Sequence, residues 1–245
     1  MDIPFDLLII VASFHTKPRM KLLDWIPENK LFWEHLSINP NAIHMLEASP
    51  DKINWKYLSA NHNALHILEA NLEEINWELL SQNPNALHLL ELVLQHDPTK
   101  INWDYLSYNP NALHILEKNP MKINWACLSE NPNAIHLLEA NPEKINWEWL
   151  SMNPNALHIL EARPEKINWA LLSKNPNALH MLEANPMKII WSMLSLNPQA
   201  LHILEAHPEN IYWPCLSQNP SIFETDTKQT QIYLRKKAKD TYDYL

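Results

Sequence analysis

The chain has 245 residues, 46% of them hydrophobic and 19% charged, the balance of a folded protein and not of a disordered one. It contains 19 prolines and no glycine, which argues against β-arcs and hairpins that need positive φ and excludes a glycine-rich phosphate loop. A net charge of −9 argues against a nucleic-acid binder, whose surface is normally basic.

Residues 1–21 form an N-terminal segment. Its apolar run, Leu7 to Phe14, is too short to span a bilayer. Asp2 and Asp6 stand where a signal peptide carries positive charge, so the run is expected to pack over the first repeat.

From residue 22 to residue 219 one unit recurs. A complete copy reads LSMNPNALHILEARPEKINWAL, from Leu150 to Leu171. The anchoring leucines are Leu36, Leu58, Leu80, Leu106, Leu128, Leu150, Leu172, Leu194 and Leu216. They are 22 residues apart except for Leu80 and Leu106, which are 26 apart. A fixed period of this size denotes a stacked array whose units bury one another's apolar faces. Residues 22–37 are a degenerate first copy.

Within a unit, NPNAIHMLEA (Asn39 to Ala48) predicts a short amphipathic helix. Asn39 is placed as its N-cap and Pro40 at its first position. Ala42, Ile43, Met45 and Leu46 share one face, and His44 and Glu47 the other. The helix breaks at Ser49-Pro50. A second helix follows from Trp55, capped by Asn54. A strand is the rival for this segment, but Pro214 occupies its second position, where a first helical turn accepts proline and a central strand does not. The 26-residue unit lengthens the first helix by four residues, about one turn, so the apolar face stays in phase. Leu92, Val93 and Leu94 lead us to expect that this turn packs against something. The predicted fold is all-α, an α-solenoid of short helix pairs with about nine repeats and terminal caps. Nine layers at about 8–10 Å imply an open rod of roughly 70–90 Å. The leucine-rich repeat shares the period, but its alternating L-x-L strand core is missing.

Residues 220–245 leave the pattern. Arg235, Lys236, Lys237 and Lys239 make this tail basic, which suits a polar capping helix.

Three sets of repeated positions bear on function. The tryptophans Trp55, Trp77, Trp103, Trp125, Trp147, Trp169 and Trp191, with Trp33 and Trp213 at the ends, are expected to form core. The histidines His88, His114, His136, His158 and His180, each followed by Glu three residues on, could supply zinc ligands. Two ligands per layer do not close a four-ligand site, so the ladder is expected to be structural, with no metal, no cofactor and no catalytic residue. The glutamate lies near a helix C-terminus, where the dipole opposes it and a partner is needed, such as N–H groups at the start of the second helix, Lys52 or a neighbouring histidine. Cys127 and Cys215 share an apolar slot two residues after a Trp and are too far apart in a linear stack to form a disulfide. Free buried thiols suit a reducing compartment.

The third set is variable. One variable position follows each Leu-Ser, as at Gln82, Tyr108, Glu130, Met152 and Lys174. Another follows each Trp, as at Glu78, Asp104 and Glu148. Either these side chains are merely solvated, or they form a bespoke binding surface, the usual use of a solenoid.

The string LSxNPNAxHxLEANPxKINW, over Leu22 to Phe223, resembles tandem-repeat proteins encoded in many copies by giant DNA viruses of amoebae and algae. KLLDWI at the start and NPSIFE at the end resemble the ends of those proteins. The resemblance implies a viral origin and carries no activity. The expectation is a non-enzymatic protein–protein interaction scaffold in the host cytoplasm, binding a host or viral protein. The alternatives are a structural component of the virion and, at longer odds, a metal-binding or enzymatic use of the His/Glu ladder. Neither nucleic acid nor membrane is an expected partner.

Overall fold

The computed structural model describes residues 18–242. The apolar run from Leu7 to Phe14 lies outside them. The described residues divide into two compact units, one being Asn29–Ser221 and the other residues 18–28 with 222–242. The chain is an all-α repeat array, as its period predicts.

Eight of the nine layers have three short pieces, and the first, with the helix Trp33–Leu36, lacks the leading helix. In one layer these are the helix Ile135–Ala140, the 3-10 turn Pro142–Lys144 and the helix Trp147–Leu150. The Asn146 side chain accepts from the Trp149 amide, so the asparagine before the Trp is the N-cap expected of it. The asparagine of NPN behaves differently. Asn39 Oδ1 accepts from the Asn41 amide and closes a turn, and the helix itself starts at Ile43. The 3-10 turn is not evident in the sequence. At its start Asn141 donates from Nδ2 to the Leu137 carbonyl, occupying an acceptor that the helix end leaves open. Among the described residues no backbone φ is positive. Asparagine and serine side chains satisfy the ends of the short helices, and the chain turns without glycine.

Two repeated side chains lock one layer to the next. The NPN asparagine is fully buried and donates from Nδ2 to two carbonyls of the preceding layer. Asn131, for example, bonds Ser107 O and Asn109 O. The serine of Leu-Ser is also buried and accepts the amide that opens the Trp helix of the next layer, as Ser129 does from Asn146. Its own hydroxyl hydrogen goes to the Trp carbonyl four residues back.

These locks do not stop at the ends of the array. Asn39, in the first layer, donates to Ser217 O at 3.0 Å and Asn219 O at 2.9 Å, in the last. Ser217 Oγ accepts from the Phe32 amide at 3.0 Å, Asn41 Nδ2 reaches Pro220 O, and Lys30 lies over the Trp213 ring. Each contact repeats the spacing found between interior layers. The unit Asn29–Ser221 is therefore a closed ring of nine layers, and the expected open rod is wrong. The rotation between successive layers is about 40°, one ninth of a turn, and accumulates to closure. A loop of roughly 70–90 Å makes a ring roughly 25 Å across at the layer axes.

The terminal segments of the smaller unit pair with each other in place of capping two separate ends. Strand Met20–Leu22 runs antiparallel to strand Phe223–Thr225, with Lys21 opposite Glu224 and the two ion-paired at 2.8 Å. The C-terminal helix Thr227–Tyr242 follows. Arg19 bonds the Thr230 hydroxyl through its amide and places its guanidinium over the Tyr233 ring.

The ring's core is leucine, alanine, serine and asparagine. The tryptophans are half-buried, a correction to their expected place. Among the described residues, six of the nine have a basic side chain of an adjacent layer over the ring, as Lys52 over Trp33 at 4.3 Å and Lys188 over Trp169 at 4.2 Å. The long helix Leu87–His96 carries the extra turn, but Leu92 is 53% exposed, so that turn is covered only in part. The lock bonds pass it undisturbed, from Asn109 to Ser81 O and Asn83 O. Unfolding of variants tests the revised core. Leu150→Ala should cost about 2–5 kcal/mol, and Trp147→Ala less than the roughly 3–5 kcal/mol of a fully buried aromatic. A larger loss for Trp147→Ala would put the tryptophan back in the core.

Candidate functional site

Ring closure decides where the variable positions point. Ile38, Ala60, Gln82, Tyr108, Glu130, Met152 and Lys174 come from seven successive layers, yet all line one cavity of about 470 Å3. In a straight stack the first and last of these would be roughly 50–60 Å apart. The residue after Leu-Ser therefore faces the ring's interior, and these seven side chains are buried or half-buried, never fully solvated. Of the candidate residues, Gln82, Tyr108, Glu130, Met152 and Lys174 share this cavity. Glu78, Asp104 and Glu148 do not: they are exposed, and the first two accept from Asn102 and Asn124 of the following layer. The position after the Trp and the position after Leu-Ser thus belong to different surfaces.

A second inward slot escapes the sequence reading. Tyr105, Cys127 and Trp149, each two residues after a Trp, line the same cavity. The signal was available: at helical spacing, the Trp+2 slot and the residue after Leu-Ser are three apart, neighbours on one helix face. Pro84, Pro110 and Pro132 complete much of the wall, so the lining is largely apolar.

Two opposite charges stand in this apolar setting. Glu130 is buried, and Lys174, two layers on, has Nζ 3.6 Å from Glu130 Oε1. Burial pushes the Glu130 carboxyl above its ordinary value, and Lys174 only partly offsets this. Burial, with Glu130 adding to it, also raises the Tyr108 phenol. The Cys127 thiol is raised by burial and then by the nearby carboxylates Asp104 and Glu130, the reverse of what activates a nucleophilic cysteine. Cys127 and Cys215 are both free. Because Lys174 is the counter-ion of a buried carboxylate, Lys174→Ala is expected to lower stability by leaving Glu130 without its partner.

The histidine ladder lies elsewhere. Its pairs form between layers and not within a helix: His66 to Glu47 at 3.0 Å, His114 to Glu91 at 2.9 Å, His158 to Glu139 at 3.2 Å and His180 to Glu161 at 3.3 Å. His88 meets Glu69 at 3.0 Å, and His136 meets Glu117 at 3.7 Å. The partner of each of these glutamates is thus the next layer's imidazole. Both members are about half exposed, so a pair contributes only about 0–1 kcal/mol, less than a buried, unsatisfied partner would cost. Among the described residues no group of three or more His, Cys, Asp or Glu is placed to hold a metal ion. Among them, too, no helix is long and apolar enough to cross a membrane.

No protein-family model, curated protein or solved structure matches this chain.

Glu130 gives the site a measurable signature. Its folded-state value is raised, so the ionised carboxylate costs stability at neutral pH, and this cost disappears as pH falls through the folded value to below the ordinary 4.5. Glu130→Gln should therefore melt higher than the parent at pH 7, with the difference shrinking as the pH is lowered. A variant that melts lower at pH 7 would show that the Lys174 pair outweighs desolvation.

Proposed function

We propose that the protein is a non-enzymatic binding scaffold that recognises a partner protein through the interior of its repeat ring. The observation that supports this most is the convergence of the variable residues. Positions that the fold leaves free, Gln82, Tyr108, Glu130, Met152 and Lys174 among them, surround one cavity. The residues that hold the ring together, the Leu, Ala, Ser and Asn of each layer, are repeated and buried. A scaffold that separates invariant locks from variable lining can change its partner without changing its fold. The resemblance to tandem-repeat proteins of giant viruses suggests that the partner is a host or viral protein met in the host cytoplasm or in the virion.

Affinity capture from virus-infected amoebal or algal extracts tests this reading. The parent ring and a Glu78→Ala, Asp104→Ala, Glu148→Ala variant should retain the same partner protein. A Gln82→Ala, Tyr108→Ala, Met152→Ala variant, shown to be folded, should lose it. Retention by the cavity variant and loss by the exposed-edge variant would assign binding to the other face.

A further inference from the structure

Among the described residues Glu130 is the one acid lining the ring cavity, and it is 8% exposed. A carboxylate so enclosed normally has close, well-formed partners. Its ion pair with Lys174 is long: 3.6 Å separates the charged atoms, against about 2.7–2.9 Å for a hydrogen-bonded ammonium and carboxylate. The raised carboxyl value agrees with an incompletely compensated charge. Lys174 reaches in from two layers along the ring, and its side chain is 38% exposed. Its ammonium can reach water once another cation takes its place, whereas Glu130 cannot. The rings of Tyr105, Tyr108 and Trp149 line the same cavity, and aromatic faces attract cations as carboxylates do.

We infer that the cavity takes up the ammonium group of a lysine side chain presented by a partner protein, with Glu130 as its counter-ion and Lys174 as the group it displaces. This rests on the binding reading above and adds the chemistry of the ligand. Charge complementarity favours a basic protein as the source: the chain's net charge is −9, and Glu78, Asp104 and Glu148 are exposed acids on the ring. A cavity of about 470 Å3 lies within the roughly 300–1,000 Å3 of sites that enclose a small ligand, ample for one side chain.

The test is calorimetric titration of the full chain with Nα-acetyl-lysine amide and, as the uncharged control, with the same compound acetylated at Nε. The parent should bind the cationic probe saturably and the neutral one at least tenfold more weakly. Glu130→Gln should weaken the cationic probe at least tenfold. Lys174→Met, by removing the internal competitor, should tighten it several-fold, and Lys174→Gln serves where the methionine variant fails to fold. A cavity that is merely structural would move neither affinity in these opposite directions. Absence of binding to both the parent and the Lys174 variant, equal binding of the neutral probe, or indifference to Glu130→Gln would overturn the inference. A partner lost from cavity variants but indifferent to Glu130→Gln would leave the scaffold reading standing and remove only the lysine.

Discussion

The structure of the repeat unit depends on one buried amide. In each layer the asparagine two residues after the serine of Leu-Ser donates both hydrogens of its Nδ2 to two backbone carbonyls of the layer before, at distances such as 2.9 Å from Asn61 to Ser37 O and to Asn39 O. Its oxygen accepts a backbone amide of its own turn, as Asn61 Oδ1 does from Asn63. The side chain thus fulfils its donors and an acceptor in one place, which is the condition for burying an amide without loss. The geometry also sets the rotation between layers. Nine such steps bring Asn39 to Ser217 and Asn219, and the belt of amides has no beginning.

Closure explains features that an open array would leave without purpose. End layers of a solenoid normally replace interface residues with polar ones, because nothing stacks on them. Here the first layer keeps Asn39 and Asn41, and the last keeps Ser217, Asn219 and Pro220, because each end is the other's neighbour. Closure also turns a set of variable side chains that would be strung along a rod into the wall of a shared cavity. The curvature of the ring brings Lys174 within 3.6 Å of Glu130 and buries the carboxylate, which raises its value and underlies the binding chemistry argued for it.

Much of the local structure is legible in the sequence. The 22-residue period, the capping role of Asn54, the tolerance of Pro214 and the added turn before His96 all follow from short-range chemistry that a sequence displays directly. What is not legible is cumulative or mutual. A rotation of about 40° per layer leaves no mark in any single repeat, so an open and a closed array read alike. The tryptophans read as core because they are large and invariant, but a 22-residue layer has room inside only for Leu, Ala, Ser and Asn, and the indoles are left half-buried, several of them beneath lysines. The His and Glu of one helix read as a pair at i, i+3, whereas each finds its partner in an adjacent layer, as His158 does with Glu139. The variable residues read as surface because free variation usually means solvent. In a ring it also means the lumen, and only closure distinguishes the two.

The most direct test of the ring compares one substitution at two places. Asn131→Ala removes the amide from an interior layer and leaves the carbonyls of Ser107 and Asn109 without their donor, an expected loss of about 1–3 kcal/mol. Asn39→Ala makes the same change in the first layer in the sequence. In a closed ring the two variants should lose equal stability in denaturant unfolding, within about 0.5 kcal/mol, because Asn39 serves Ser217 and Asn219 as Asn131 serves its neighbours. A near-neutral Asn39→Ala beside a costly Asn131→Ala would contradict the account, since only an open array leaves the first asparagine with no layer to hold.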